Sequence, residues 1–353
     1  MEYIKLFNQH TEYETYINSE DALLPNLSFC GNNGCVHLNK RIDYSTRYFT
    51  ITSLQDNNVI KFIRGTSTYP RPSEPEESIT IYISVDNGNT WEEKAASSQG
   101  TILAELNTNE EILIKGYNET YYVSKYNNKF NISGSFNVSG NIMSLIYGDD
   151  FKDQITLNGS DNFSRLFENC YYIVSAKNLI LPATTLTESC YSCMFFCGMT
   201  DERSTFIEPP ELPATTLAEG CYFSMFYRTA IRTAPELPAT TLANSCYYEM
   251  FYGCFNLITA PELPATTLAR SCYYGMFNEC RSLINAPELP ATSFVSYDNY
   301  ARMFEKCTSL VNAPELPATT LGESCYSQMF KDCTSLINAP VLPALTLSSG
   351  CYS

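Results

Sequence analysis

Between residues 43 and 150, apolar and polar residues alternate along short segments, which is the pattern of β-strands that bury one face. The predicted strands are Tyr48–Thr52, Val59–Ile63, Ile79–Val85, Ile102–Leu106, Ile112–Ile114 and Tyr121–Ser124. Turn-forming residues separate them, among them Asp86-Asn87-Gly88-Asn89, which comes shortly before the only tryptophan, Trp91. Short strands joined by polar turns predict an antiparallel β-sandwich over 43–150.

Residues 1–42 carry two different local patterns. Thr11–Glu14 matches a capping box, and Tyr13, Tyr16 and Ile17 fall on one face of the turns that would follow, so we predict a short helix there. Further on, Asn26–Cys30 and Cys35–Leu38 flank a Gly-Asn-Asn-Gly turn, which predicts a β-hairpin. A helix-hairpin module of this size has little core of its own, so we expect it to dock on a partner.

From residue 181 onward the pattern becomes a repeat with a period of about 26 residues. The pair Leu-Pro returns with its leucine at Leu181, Leu212, Leu237, Leu263, Leu289, Leu316 and Leu342. Proline beside each leucine excludes a long helix there and favours an extended segment. Self-similarity at this period predicts a solenoid over 151–353, in which 151–180 forms a weakened first coil. The fold class predicted for the whole chain is therefore mainly β.

Two apolar columns are expected to form the core of this solenoid. Each repeat carries a Met-Phe pair, at positions 194–195, 225–226, 250–251, 276–277, 303–304 and 329–330. Burying one such side chain stabilises a protein by roughly 1.5–3 kcal/mol, and so short a unit has no other means to offset its ordering entropy. Thirteen of the 15 cysteines lie in 170–351, most of them at the repeat period. We predict that they are small core residues, mostly reduced, rather than a disulfide scaffold.

A column of glutamates is the first candidate binding feature. A glutamate precedes the Leu-Pro pair in successive repeats, as at Glu236, Glu262 and Glu288. Carboxylates stacked in this way could coordinate a cation. A packed coil also tolerates them without one, because the repulsion in water is only about 0.4–0.8 kcal/mol per pair.

A column of tyrosines is the second candidate. Tyr247 and Tyr273 each follow a cysteine at the repeat period, and Tyr248 and Tyr274 come directly after them. Tyrosine buries an apolar ring while its hydroxyl stays polar, so the column fits either a core lining or a stripe that binds sugar or protein. These four tyrosines and the three glutamates are the predicted binding residues.

Composition narrows the class of function. The formal net charge is −16, from 38 acidic against 22 basic residues, which argues against nucleic acid or an anionic membrane as partner. No apolar run reaches the roughly 18 residues needed to span a bilayer. The N-terminus carries no secretory signal, so we expect synthesis and folding in a cytoplasm.

Neither catalysis nor a metal or cofactor is expected. His10 and His37 are the only histidines, and no Gly-rich phosphate loop or nucleophile elbow occurs. The cluster Cys190, Cys193 and Cys197 has no histidine near it, so packing is the preferred interpretation over a zinc site. A glycan-active enzyme is a remote alternative. It is remote because a glycosidase uses two differently tuned carboxylates, which repeated identical acids do not supply.

The repeats resemble a known family in one run of residues. Met329-Phe330-Lys331-Asp332-Cys333-Thr334-Ser335-Leu336 resembles the Met-Phe-X-X-Cys-X-Ser-Leu signature of the BspA-like leucine-rich repeat surface proteins. The likeness recurs at Met276–Leu283 and Met303–Leu310 and extends over about half the chain. This resemblance implies a curved solenoid used for adhesion to cells or matrix. The unit 289–315 has Asn299 where the other units have cysteine, together with one extra residue, so we expect a local bulge there.

The front half resembles modules that precede such repeats in proteins of gut bacteria and their tailed phages, including the crAss-like group. The motifs that carry this likeness are Ile4-Lys5-Leu6-Phe7, Leu24–Ser28 and Val85–Trp91. The resemblance implies a virion component, a fibre or host attachment protein, whose residues 1–42 bind other virion proteins. The solenoid would face a host surface glycan or protein.

The absence of a signal favours the phage interpretation, because phage proteins leave the cell by lysis. The sequence stops halfway through a unit, so we expect either that the chain continues in the natural protein or that another subunit covers the apolar end of the last coil; a homo-oligomer is expected. A bacterial cell-surface adhesin is the alternative.

Overall fold

A computed structural model describes residues 3–6, 15–18, 27–31, 34–38, 43–65, 79–117, 128–198, 204–294 and 296–353. The chain divides into two compact units, Met1–Asp43 and Tyr44–Ser353. The described residues form a mainly β protein, as predicted, with a single four-residue α-helix among them. None of their helices combines the length and the apolar composition needed to cross a membrane.

The first unit contains two antiparallel strand pairs. Strand β1 (Tyr3–Leu6) pairs with β2 (Thr15–Asn18), and β3 (Leu27–Gly31) pairs with β4 (Gly34–Leu38). The predicted hairpin is confirmed, with two residues between its strands. The predicted helix is wrong over β2, because Thr-Tyr-Ile is a β-branched and aromatic sequence that favours a strand, and β1 supplies the backbone partners.

Among the described residues of the second unit, nine strands and one short helix precede the repeats. They are β5 (Phe49–Ser53), β6 (Asn58–Ile63), β7 (Thr80–Ser84), β8 (Glu92–Ala95), β9 (Thr101–Leu106), β10 (Glu111–Lys115), β11 (Lys129–Ile132), β12 (Phe136–Asn141), α1 (Ser144–Tyr147) and β13 (Ile173–Ile180). A six-stranded sheet has the order β13-β12-β5-β10-β7-β8, and a three-stranded sheet has the order β11-β6-β9. Five of the six predicted strands correspond to described strands, and Tyr121–Ser124 lies outside the described residues.

The inner faces of the two sheets share one apolar core. Phe49 of the larger sheet packs against Phe130 of the smaller one, with ring centroids 5.6 Å apart. Alternation places Phe49 and Ile51 of β5 in this core, together with Ile60 and Phe62 of β6. The two-sheet arrangement predicted from alternation is therefore present over 43–150 within the described residues.

One edge of the larger sheet differs from the prediction. Strand β13 pairs with β12 in parallel, so the sheet is not purely antiparallel. Because β13 lies within 151–180, the segment predicted as the first coil supplies an edge strand, and the boundary predicted at residue 150 does not separate two independently packed units. A parallel partner needs a long connection, and the 31 residues between the two strands provide it.

In the repeat region, residues 181–353, consecutive units contact one another at the repeat period. Within Ser245–Cys254, alternate backbone N–H groups donate to a carbonyl three residues earlier, as Met250 does to Tyr247 at 3.2 Å. The intervening N–H groups donate to the next repeat, as Phe251 does to Met276 at 3.0 Å. Each repeat therefore uses half of these donors to form its own turns and half to bind its neighbour.

This hydrogen-bond pattern requires a left-handed residue every four positions. Ser245, Glu249 and Gly253 have φ values of 49°, 48° and 66°. A non-glycine residue in this region costs roughly 1–2 kcal/mol, and the inter-repeat hydrogen bonds offset that cost. The segment is thus a series of turns rather than the single turn or helical turn suggested by its sequence.

Aromatic rings stack along the repeats in two columns, which are buried except at their last members, Phe330 and Tyr352. The tyrosine column has centroid separations of 5.5–5.9 Å and consists of Tyr191, Tyr222, Tyr247, Tyr273, Tyr300, Tyr326 and Tyr352. The phenylalanine column has separations of 5.4–5.8 Å and consists of Phe167, Phe195, Phe226, Phe251, Phe277, Phe304 and Phe330. Six of the seven phenylalanines belong to the predicted Met-Phe pairs, and these pairs lie in the core from Met194 through Phe304.

The cysteines of this region are free, and all but one are buried. A row of thiols donates to phenylalanine carbonyls of the preceding repeat, as Cys280 does to Phe251 at 3.1 Å and Cys307 to Phe277 at 3.0 Å. In the irregular unit, Asn299 takes the place of a cysteine and donates to Ala269 at 2.8 Å. The inter-repeat hydrogen bonds continue through this unit, which absorbs its extra residue before Met303.

Candidate functional site

The four predicted tyrosines separate into a buried pair and a surface pair. Tyr247 and Tyr273 are each 1% exposed and belong to the tyrosine column. Burial raises the pKa of both phenols well above the ordinary value, because water no longer solvates the phenolate. The prediction that these two residues contribute to a binding surface is therefore corrected: they are core, and a partner cannot touch them.

Tyr248 and Tyr274 lie on the surface in a column of their own. Their ring centroids are 4.6 Å apart, and Phe223 continues the column at 4.8 Å from Tyr248. Burial, followed by the charge of Glu249, raises the pKa of Tyr248. We call these three residues the Phe223 column. Because turns place two residues inward and the next two outward, a tyrosine directly after a core tyrosine faces solvent.

A second surface column was not predicted from the sequence. It consists of Phe196, Tyr227 and Tyr252, with both centroid separations 4.6 Å, and we call it the Tyr227 column. Each member comes two residues after the methionine of a Met-Phe pair. That spacing was visible in the sequence, but only the four-residue turn period shows that it reaches the surface.

Stacking determines what these columns can offer to a partner. Interplanar angles of 3° to 8°, and of 20° between Phe196 and Tyr227, mean that neighbouring ring faces in both columns cover one another. Ring edges and hydroxyl groups are left for contact, spaced by less than 5 Å along the stack. Sugar binding by ring faces is restricted to the ends of each column, whereas contact along ring edges suits an extended partner.

The predicted glutamates Glu236, Glu262 and Glu288 are exposed, one in each of three consecutive repeats. Glu236 also lines an open groove of about 710 Å³ with Glu208, Glu211, Lys177 and several prolines. No group of three potential metal-ligating side chains occurs in the part of the chain that the structure describes.

A charged network lies beside the Tyr227 column. The carboxylate of Glu279 has a side-chain exposure of 10% and contacts Lys306 at 2.9 Å, Arg281 at 3.5 Å and Arg228 at 3.9 Å. Tyr252 of the column donates to the same carboxylate at 3.3 Å. Burial acts to raise the pKa of Glu279, but the hydrogen bond and charge of Lys306 and the two guanidinium charges outweigh it, so the pKa is lowered.

A second buried carboxylate extends this network into the next repeats. Glu305, with a side-chain exposure of 5%, contacts Lys331 at 3.4 Å and Arg302 at 3.8 Å. Asn278 donates to it at 3.2 Å. Five cations therefore surround two carboxylates, and we call them the cationic cluster: Arg228, Arg281, Arg302, Lys306 and Lys331. Sequence reasoning missed it because only Arg228 and Lys306 share a repeat position, three residues after the methionine, and the two repeats between them carry Gly253 and Glu279 there.

The sheets carry one comparable cluster. Lys115 lies 4.1 Å from the ring centroid of Trp91 and donates to Asp149 at 2.7 and 2.9 Å. Tyr48 and Tyr117 each donate to Asp149 at 2.6 Å. Burial acts to raise the pKa of Asp149, but these donors outweigh it and lower the pKa to about 2. Because every donor is consumed within the protein, the arrangement fixes the segment after α1 to the sheet.

The thiols of the repeat region have low reactivity. Burial raises the pKa of Cys221, Cys254 and Cys272 to about 12, so they are neutral at physiological pH. A neutral buried thiol is a poor nucleophile and a poor metal ligand. The accessible chemistry of the repeat region is therefore that of the two surface columns, the exposed glutamates and the cationic cluster.

Comparison with protein-family models, curated proteins and solved structures finds no match to this chain. The class defined by its own geometry is a mainly β protein whose second half presents repeated surface side chains.

Proposed function

We propose that the chain is a non-enzymatic attachment protein whose repeat region is a leucine-rich-repeat-like solenoid. The observation that carries the proposal is the pair of surface aromatic columns, which run unbroken across three repeats each. Partly exposed aromatic edges beside guanidinium groups are typical of binding surfaces. The inter-repeat hydrogen bonds support the solenoid, because each repeat completes the backbone of the one before it.

The setting we propose is the virion of a tailed phage, in a fibre or attachment protein. Residues 1–42 would bind other virion proteins, and the repeats would bind a host surface glycan or protein. The support is the sequence resemblance together with the division of the chain after Asp43, which leaves the first unit with a separate set of contacts. An oligomer of this chain is part of the proposal, since attachment surfaces gain avidity from copies.

Two measurements test this function. Mass spectrometry of purified phage particles should detect the chain in stoichiometric amounts, and labelled full-length chain should bind host cells. Detection in bacterial envelope fractions and not in particles would replace the phage protein by a cell-surface adhesin. Hydrolysis of host glycans by the purified chain would contradict the non-enzymatic proposal.

A further inference from the structure

The cationic cluster contrasts with the charge of the rest of the chain. The whole sequence has a formal net charge of −16, yet here five cations surround two carboxylates. The carboxylates point inward, with side-chain exposures of 10% and 5%. Four of the cations expose 41% to 56% of their side chains. The charge presented to solvent is therefore positive.

Neutralising the buried carboxylates does not account for this number of cations. A buried carboxylate requires a partner, since an unpaired one costs several kcal/mol. Lys306 at 2.9 Å supplies that partner to Glu279, and Lys331 at 3.4 Å supplies it to Glu305. Arg281 is farther from Glu279 and is the most exposed of the five. Glu249, which faces Arg302, and the exposed Asp332 reduce the excess of cations without removing it.

The cations are distributed along the stacking direction of the repeats. Arg228, Arg281, Lys306 and Lys331 come from four different repeats. The backbone N–H of Lys306 donates to the carbonyl of Lys331 at 2.7 Å, so their repeats are in direct contact. A row of this kind matches a linear chain of anionic groups better than a single small anion, because four repeats along this direction each contribute at least one positive charge.

Aromatic groups border the row on one side. Phe255 is 38% exposed and lies 5.0 Å from the guanidinium of Arg281, and Tyr252 is the adjacent end of the Tyr227 column. Guanidinium groups bind carboxylate and sulfate in a bidentate manner, and aromatic edges contact the C–H faces of sugar rings. We infer that the cationic cluster, with Tyr252 and Phe255, binds a linear polysaccharide that carries carboxylate or sulfate groups. This inference rests on the proposed function, since host envelopes present such polymers.

Binding of the full-length chain to two probes tests the inference: polygalacturonate, which is carboxylated, and dextran sulfate, with neutral dextran for comparison. The variant Arg281→Gln/Arg302→Gln removes two exposed cations and leaves Lys306 and Lys331 as partners of the buried carboxylates. Its matched control, Arg232→Gln/Lys152→Gln, removes two exposed cations outside the cluster. We expect binding to at least one anionic probe, weakened about tenfold in the cluster variant and less than about twofold in the control.

Phe255→Ala tests the contact with the sugar ring separately from the contact with its anionic groups. It leaves every cation in place, and we expect about threefold weaker binding with an unchanged dependence on salt concentration. Thermal unfolding of each variant near that of the unaltered chain excludes a folding defect. If only dextran sulfate binds, the sulfated class is assigned; if only polygalacturonate binds, the carboxylated class is.

Several outcomes overturn the inference: no binding to either anionic probe, equal binding to neutral dextran, or equal weakening in both double variants. Poly-glutamate or an oligonucleotide binding as tightly, with the same dependence on Arg281 and Arg302, would replace the saccharide by another polyanion. If the cluster variant still binds host cells normally, the inference fails while the attachment function stands. If the unaltered chain binds anionic polysaccharide but the chain itself is detected neither in virions nor in bacterial envelope fractions, the proposed function fails and the binding inference stands.

Discussion

The sheets of residues 43–150 and the repeats of 181–353 pair their backbone N–H and C=O groups in different ways. In the sheets, an extended strand such as β5 exchanges hydrogen bonds with two neighbours, and its side chains alternate between core and surface. In the repeats, alternate N–H groups close local turns, and the others bind the next repeat. Side chains there point inward in pairs and outward in pairs: Tyr248 and Glu249 are partly exposed, and Met250 and Phe251, which follow them, are buried.

This difference determines how far a local change should spread. The sheets place residues distant in sequence side by side, as when β12 pairs with both β5 and β13. In the repeats, most stacking contacts join one unit to the next. A destabilising substitution in the sheets should therefore lower stability throughout that region. A destabilising substitution in a repeat should lower stability mainly in the adjacent repeats.

The largest effect is expected from Phe277→Ala, in the middle of the phenylalanine column. Phe277 is fully buried between Phe251 and Phe304, each 5.7 Å away. Removing the ring should lower the free energy of unfolding by about 3–5 kcal/mol. Hydrogen exchange should show lost protection in the repeats on either side and retained protection in β5.

Two further variants complete that comparison. Phe62→Ala, which truncates a fully buried ring of β6, should cost a similar free energy but remove protection across both sheets. Ile258→Ala, at a side chain 49% exposed, should cost less than about 1 kcal/mol. Equal loss of protection in β5 for Phe277→Ala and Phe62→Ala would contradict the neighbour-limited response of the repeats.

The next largest effect is expected at alkaline pH, where ionisation of buried thiols should destabilise the repeats and not the sheets. The folded state raises the pKa of the Cys254 thiol from 9.0 to about 12, mainly through burial. The folded protein therefore keeps a proton that the unfolded chain releases. Stability from this group is complete below pH 9 and is lost as pH rises toward 12, by about 1.4 kcal/mol per pH unit. Residues 44–169 contain no cysteine, so this loss belongs to the repeats.

Urea unfolding between pH 8 and 10.5, followed region by region with hydrogen exchange, measures this loss. Cys254→Ala should make the dependence on pH shallower by the contribution of one thiol, and Cys280→Ala, a matched change one repeat further on, should do the same. An unchanged slope in both variants would show that the thiols do not cause the alkaline sensitivity.

The period of the repeat could be obtained from the sequence, but its conformation could not. Spacings such as Cys246-Tyr247, Met250-Phe251 and Cys254 place apolar residues at intervals of four, which also fits a helix. The turns exist because a neighbouring repeat accepts every second N–H group, and that partner is invisible in a single unit. Glu249 at φ 48° shows the consequence, since its residue type gives no signal for a left-handed backbone.

Residues of the candidate site could be predicted from the sequence only where they recur at the repeat period. The glutamates recur at one position, as do Tyr248 and Tyr274, and the structure places the glutamates on the surface and the two tyrosines partly exposed, which is one of the two arrangements that the sequence allowed. Tyr247 has the same residue type as Tyr248, and only the turn geometry decides which of them is buried. The cationic cluster draws on four repeats, and only Arg228 and Lys306 share a repeat position, so no continuous column indicates it.

A smaller effect is expected at the Asp149 cluster of the sheets. The donors around Asp149 lower its pKa from 3.8 to about 2, so its contribution to stability is present above pH 4 and is lost as pH falls toward 2. Asp149→Asn should cost about 1 kcal/mol at pH 7, because a side chain 52% exposed is partly screened by solvent. Thermal unfolding from pH 2 to 7 should give a flatter profile for the variant.

Asp153→Asn, an exposed neighbour, is the matched control and should leave the profile unchanged. Lys115 keeps its contact with Trp91 in the Asp149 variant, which limits the loss. A profile for Asp149→Asn as steep as that of the unaltered chain would assign the acid sensitivity to other carboxylates.

The smallest expected effect has the opposite sign and bears on the tyrosine column itself. The hydroxyl of Tyr247 is buried without a hydrogen-bond partner among the described residues. Tyr247→Phe keeps the ring between Tyr222 and Tyr273 at 5.9 and 5.8 Å while removing that polar group. Since a buried hydroxyl without a partner destabilises the folded state, we expect the variant to gain about 0.5–1 kcal/mol in urea unfolding.

Tyr252→Phe is the matched change on the surface and should act in the other direction. It removes a hydrogen bond to Glu279 and should lose about 0.5–1 kcal/mol, because a buried carboxylate then lacks one donor. A loss of stability in both variants would mean that the core hydroxyl is hydrogen-bonded in solution. A gain in Tyr247→Phe alone would show that tyrosine is retained inside the column at a cost, which packing does not explain because phenylalanine stacks equally well.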